Sequence, residues 1–322
     1  MSNLEREPAE ALAGGRADVA TEPVRDVLEG REVVLGGTRG MPVVRTLPNK
    51  VRRMVGAWCF VDHFTGPEEM VVPPHPHTGL QTVTWLVDGR VRHRDSLGSD
   101  QVIAPGQLNL MTAGRGIAHA ETSPVDGDRP SPGGLHGVQL WVALPAGDRD
   151  AAPSFAHHAD LPEGTDGGAT VRVLLGDLAG LGSPARAYTP IVGAEVSLSP
   201  GTHTELDLVP DFEYAALTLT GTATVDGLSL APGPMLYLGC GRRTLTISAD
   251  SPGRLLLLGG EPFAERIVMW WNFIGRSHDD IATFRDDWMA GRRFGAVRYE
   301  GERLPAPPMP ATTLVPRGRT RD

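Results

Sequence analysis

The chain has 322 residues, of which 40% are apolar and 6% aromatic, with a formal net charge of −9. That is the profile of an ordinary soluble protein, long enough for two domains or one large β-rich one, and its acidity argues against a chain built to hold phosphate backbones. The two cysteines, Cys59 and Cys240, lie in different halves without metal spacing, which excludes a disulfide framework and a thiolate metal knot as organising features.

Residues 1–25 are polar and rich in Ala and Gly, so a loose tail or a short helix is expected there. The start lacks the apolar segment of a signal peptide, and no later apolar run is long enough to span a bilayer; the expectation is a cytoplasmic protein with no membrane contact. From Val33 the texture changes. REVVLGGTRGMPVVRTLP reads as a hairpin, and short strand-like runs follow at TVTWLVDGRVRHRDS, QVIAPGQLNLMTA, HGVQLWVALP and TVRVLLGDLAG. The 40 glycines and 28 prolines are spread between such runs rather than gathered in tracts, as hairpin and turn chemistry requires. The sequence predicts an all-β sandwich or barrel architecture.

The segment VVPPHPHTGLQTVTW places His75 and His77 one residue apart behind a Pro-Pro turn. In a strand, residues i and i+2 share a face about 6.6–6.8 Å apart, so both imidazoles can reach one cavity wall. After a Pro-Gly turn, an apolar run and the glycine bend at Gly114–Gly116, His119 and Glu121 repeat the spacing. Two adjacent strands, each carrying such a pair, would converge three imidazoles and one carboxylate. That donor set suits iron(II), manganese, nickel or zinc, and four protein ligands in an octahedral shell leave about two positions open, which suits a bidentate substrate, or a monodentate substrate plus dioxygen, and not a closed structural site.

Other polar residues admit blander readings. Asp62-His63-Phe64 precedes the metal strand; His63 either lines the pocket mouth or has a structural role in a turn. Gln81 either hydrogen-bonds a ligand or bound water, or caps a strand end. His93 alternates with Arg92 and Arg94 and reads as part of a solvated face. The Arg90, Arg92, Arg94 cluster is too small for nucleic-acid binding. His136 is not read as a ligand, and His157-His158 is expected on the surface.

A second β series begins near Ala187 and echoes the first: both run a strand into VDG and then a Pro-Gly turn and an apolar run. Two similar β domains in tandem are the natural inference. The second series holds only His203 and is expected to bind no metal. Arg276–Arg293 reads as a helix with Ile281, Phe284 and Trp288 as its apolar stripe and Gly291 as its stop. Trp270-Trp271 reads as an interface or core anchor, and the residues beyond as an extended tail.

DHFTGP at Asp62–Pro67, HPHTGLQTVTW at His75–Trp85, MTAGRGIAHAE at Met111–Glu121 and HGVQLWVALP at His136–Pro145 resemble the pirins, a bicupin family, in order and spacing. WWNFIGRSHDDI at Trp270–Ile281 resembles the carboxyl-terminal signature of a bacterial branch. The resemblance implies an all-β fold of two tandem cupin (jelly-roll) barrels with a short C-terminal helix: a tail over 1–25, a metal-binding domain over 26–180, and a second cupin with helix and tail over 181–322. It implies one divalent metal, iron(II) foremost, held by His75, His77, His119 and Glu121. Generic cupins take their carboxylate four residues after the second histidine, where this chain has Gln81; Glu121 supplies it instead. Some pirins cleave flavonols such as quercetin with dioxygen, with Glu121 the expected catalytic base here. Others act as regulators that bind a protein partner, which is the alternative reading.

Overall fold

A computed structural model describes residues 11–14, 22–35, 41–66, 69–124 and 134–316 of the chain. The fold is mostly β, arranged as two layered antiparallel domains, a small three-stranded sheet and one helix. In the first domain a seven-stranded sheet runs in the order Ser154–His158, Leu108–Thr112, Leu80–Asp88, Leu135–Ala143, Trp58–Gly66, Met41–Leu47, Arg31–Leu35. Opposite it stand four shorter strands, Val71–His77, Ile117–Thr122, Val91–Asp95 and Asp100–Ile103. Phe64 and Leu86 of the large sheet meet Val72, Val91 and Ile103 of the small one in the core between them. Asp62, in the DHF segment, is fully buried and accepts two hydrogen bonds from Arg45, at 2.7 and 2.8 Å. This bidentate pair ties two neighbouring strands together.

The second domain repeats the plan, with an eight-stranded and a four-stranded sheet around a separate core that includes Val196, Leu217's neighbour Ala216, and Ile247. Thr202–Asp207 alternates buried and exposed residues, as a strand with one wet face must. Leu80–Asp88 instead buries seven consecutive residues, because one face looks into the first domain and the other meets the second. Sheet membership does not follow a division at residue 180. Glu163–Asp166 and Ala169–Leu178 belong to the second domain's sheet, where Ala169–Leu178 pairs with Ile191–Leu198, and Asp26–Leu28 joins the same sheet beside Met235–Tyr237.

The expected helix is present as His278–Met289. Ser277 caps it, its hydroxyl accepting from the Asp280 amide at 3.1 Å. Gly291, just past the C-cap, takes the left-handed φ of 70° that glycine adopts without penalty. Ile281 and Trp288 are buried and Phe284 packs beside them, against Ala118, Trp270 and Phe273. The helix therefore backs the outer face of the strand that carries His119. Of the stretch over 1–25 read as a loose tail or short helix, residues 1–10 and 15–21 lie outside the described residues. Ala11–Gly14, within it, instead forms a strand paired with Arg266–Met269, whose free edge offers backbone partners.

Candidate metal centre

His75 and His77 end one strand, and His119 and Glu121 lie on its antiparallel neighbour, with His75 directly opposite His119. The register slips between His119 and Glu121, so that Glu121 faces Val72 and the Pro73-Pro74 pair takes up the extra residue. Prolines suit such an irregularity because they have no ladder N–H to lose. The slip leaves the Pro73 carbonyl beside the His75 ring, where it accepts from Nδ1 at 2.8 Å. The His77 Nδ1 is held the same way by the Asn272 carbonyl, at 3.1 Å. A carbonyl can only accept, so both rings carry their proton on Nδ1 and turn an unprotonated Nε2 inward.

The ligand atoms of His75, His77 and His119 lie within 4.8 Å of one another, and all three side chains are fully buried. His75 Nε2 and His119 Nε2 are 2.7 Å apart. Two ring nitrogens that close either share one proton or face one cation, and ligands 2.0–2.1 Å from an ion at right angles sit about 3 Å apart. Burial holds the rings neutral, as ligation requires: His75 is pushed down to about 4, and His77 and His119 go well below the ordinary histidine range. Glu121 is 1% exposed and forms a second, overlapping set with His119 and His93, again within 4.8 Å. A metal-binding site of His/His/His or His/His/Glu composition therefore exists here. Both such clusters among the described residues lie in the first domain.

The reading of His93 as part of a solvated face is overturned. His93 is 3% exposed and faces the metal site, with its Nδ1 3.3 Å from His119 Nδ1. The physical reason is the strand period itself: Arg92 and Arg94 point outward, so the residue between them must point in. Gln81 does neither thing expected of it. It sits on the opposite face of its strand and its amide nitrogen donates to Thr112 Oγ1 and to the Arg186 carbonyl, both at 3.0 Å, at the junction with the second domain.

His63 also faces away from the site. Phe60 stacks on Trp141, whose ring lies 5.2 Å from His77, so even-numbered residues of that strand point inward and His63 outward. Its Nε2 meets His136 Nε2 at 2.8 Å, and burial, helped by His136, pushes it down to about 4. His157 and His158 are half-buried on an edge strand, His157 bonded to Asn109 at 2.8 Å. Trp270 and Trp271 are buried anchors, 2% and 3% exposed. Between them and Phe273 lies the residue sequence reasoning missed, Asn272, whose role is carried by a backbone carbonyl.

A double β-sheet domain with converging histidines at the end of one strand and a carboxylate on the next defines a cupin-type metalloprotein. The chain belongs to the pirin family: residues 40–142 match the model for Pirin and residues 193–295 the model for the Pirin C-terminal cupin domain. It is 48% identical over 288 residues to a Pseudomonas aeruginosa protein named "Putative quercetin 2,3-dioxygenase", covering 87% of this chain and 89% of that one. A Caulobacter vibrioides pirin-like protein is 38% identical over 291 residues, with 87% and 98% covered. The crystal structure of a quercetin 2,3-dioxygenase from Acinetobacter baumannii superposes with a TM-score of 0.84 at 40% identity, covering 89% of this chain and 96% of that one.

Proposed function

We propose that this pirin is a metal-dependent oxidoreductase that cleaves a flavonol of the quercetin type with dioxygen. His75, His77, His119 and Glu121 would hold one divalent ion, iron(II) foremost, with manganese, nickel or zinc as alternatives. Such an ion, when bound, acts as a Lewis acid that lowers the pKa of a coordinated substrate hydroxyl. The observation that carries the reading is the convergence of three neutral imidazoles, two of them oriented by backbone carbonyls, beside a buried carboxylate.

The surroundings support a flat aromatic substrate. Trp141 and Phe60, stacked with centroids 4.1 Å apart, give an apolar wall next to His77. Two buried polar groups lie close by without a hydrogen-bond partner among the described residues: the Trp141 indole N–H and the Asn272 side-chain amide. Buried donors and acceptors left unmet are costly, and the hydroxyl and carbonyl oxygens of a flavonol are suitable partners. Glu121 would take the proton of the substrate's 3-hydroxyl on its carboxylate. A cytoplasmic location accords with two buried cysteines that both remain free thiols; no helix of the described residues is long and apolar enough to cross a membrane.

The test is direct. Protein loaded with iron(II) or manganese(II) should consume quercetin in air with a matching loss of dissolved oxygen, at about one metal per chain. Failure to consume any flavonol under several metals would replace this reading with the regulatory one, in which the metal site shapes a surface for a protein partner.

A further inference from the structure

Of the three clustered imidazoles, two have Nδ1 fixed by a backbone carbonyl and the third does not. His119 Nδ1 instead faces His93 Nδ1 at 3.3 Å. His93 Nε2 lies 3.2 Å from Asp95 Oδ2. The other Asp95 oxygen is fixed by the backbone amides of Leu97 and Ser99, at 2.9 and 3.0 Å. Phe155 stacks on the His93 ring at 4.2 Å with the planes 10° apart, which sets its rotation. His93, Asp95 and His119 are all at most 3% exposed.

These contacts admit one neutral arrangement of protons. Asp95, already receiving two amide donors, is an ionised acceptor, so His93 carries its proton on Nε2 and gives it to that carboxylate. His93 Nδ1 is then a bare lone pair, able only to accept. His119 must supply the proton from its own Nδ1, which leaves His119 Nε2 bare and aimed at His75 and His77. We propose that Asp95 and His93 form a positioning relay that fixes the tautomer and ring orientation of His119. The side-chain pair does for His119 what the Pro73 and Asn272 carbonyls do for His75 and His77. The proposal rests on His119 being a metal ligand, and it assigns His93 a role outside the ligand set.

The overlapping cluster of His93, His119 and Glu121 offers a rival, a second ion between His93 and His119. That would require His119 to ligate through both nitrogens, as an imidazolate, and would break the bond to His93.

The experiment uses the full chain loaded with zinc, which is diamagnetic. Long-range nitrogen–proton correlation spectra of the imidazoles should show His93 protonated on Nε2 and His119 on Nδ1, at one zinc per chain. Asp95→Asn keeps the shape but can turn an amide N–H toward His93, reversing the direction of every proton along the relay. Its zinc affinity, measured by chelator competition, should fall about 10–100-fold, the usual cost of losing an outer partner of a ligand. His93→Phe keeps the stack on Phe155 but loses the acceptor and should fall similarly. His93→Asn, which restores an oxygen acceptor near the Nδ1 position, should lie closer to wild type. His93 protonated on Nδ1, two zinc ions per chain, or wild-type affinity in Asp95→Asn would overturn the relay. Failure of the wild-type chain to bind zinc, iron(II) or manganese(II) would overturn the metal reading beneath it.

Discussion

In the proposed reaction Glu121 would carry two demands that pull apart. As a ligand it must give its lone pairs to the ion; as a base it must give one to a proton. Glu121→Gln keeps the shape and an oxygen donor but removes the charge and nearly all the basicity. With metal occupancy held equal, turnover should fall about 100-fold, within the range for a lost acid–base group; metal content measured beside the rate separates lost chemistry from an empty site. Full occupancy with unchanged turnover would take Glu121 out of the proton-accepting role. The residues of this site were unequally legible in the chain. His75, His77, His119 and Glu121 announce themselves because a spacing of two puts both members of each pair on one face of a strand. His93 carried the same information in reverse: two flanking arginines that face water oblige it to face the core. Its polarity masked this, since a buried histidine is expected only when something satisfies it, and Asp95 and His119 become visible as partners only once the strands are paired. Gln81 misled for the opposite reason. Its offset from His77 matches that of a metal carboxylate, but the strand's other face is buried too, against a second domain that local pattern does not reveal.

At the scale of elements, the strand Val71–His77 is held in place largely by segments distant in sequence. Its end continues into Thr78, which bridges to Phe273, with the Ile274 amide bonded to the Thr78 carbonyl at 3.1 Å. The Leu304 amide donates to the Pro74 carbonyl at 2.9 Å, and Asn272 orients His77 from 195 residues away. A backbone carbonyl has no side-chain signature, so this support could not be read from composition or spacing. The helix is the clamp on these contacts. Trp288 is 2% exposed, packs against Phe294 in the cluster that contains Phe273, and its indole N–H donates to the Leu304 carbonyl at 2.8 Å. Trp288→Ala should cost about 3–5 kcal/mol locally, as truncation of a buried tryptophan does. It should also speed metal loss to a chelator, although Trp288 is no part of the ligand cluster, because Leu304 loses its hydrogen bond and the cluster holding Trp271 and Phe273, on either side of Asn272, loses packing. Lower thermal stability with an unchanged rate of metal release would uncouple the helix from the site.

At the scale of the molecule, the tandem repeat visible in the sequence conceals a shared core. The largest apolar cluster joins Trp58, Trp85 and Val138 of the first domain to Leu175, Leu217 and Leu256 of the second. Polar contacts cross the same junction. The Trp58 indole N–H is shared between the Val192 and Gly259 carbonyls at 3.0 and 3.2 Å, and the Trp85 indole N–H donates to Glu195 at 2.8 Å. Repeats suggest two units that each fold alone, yet Trp58 and Trp85 are both fully buried only because the other domain covers them. A fragment spanning residues 26–160 would expose this face and strand Asp26–Leu28 without its partner strand. An apolar patch of that size is an association surface in water. The fragment is therefore expected to aggregate, to bind a hydrophobic dye, and to hold zinc at well below one ion per chain. The intact protein should unfold with tryptophan fluorescence and far-ultraviolet circular dichroism changing together, since a core shared this widely couples the two domains. A monomeric fragment that unfolds cooperatively and binds one zinc would show instead that the first domain is self-sufficient, and that the second only shields the outer face of the sheet opposite the metal strands.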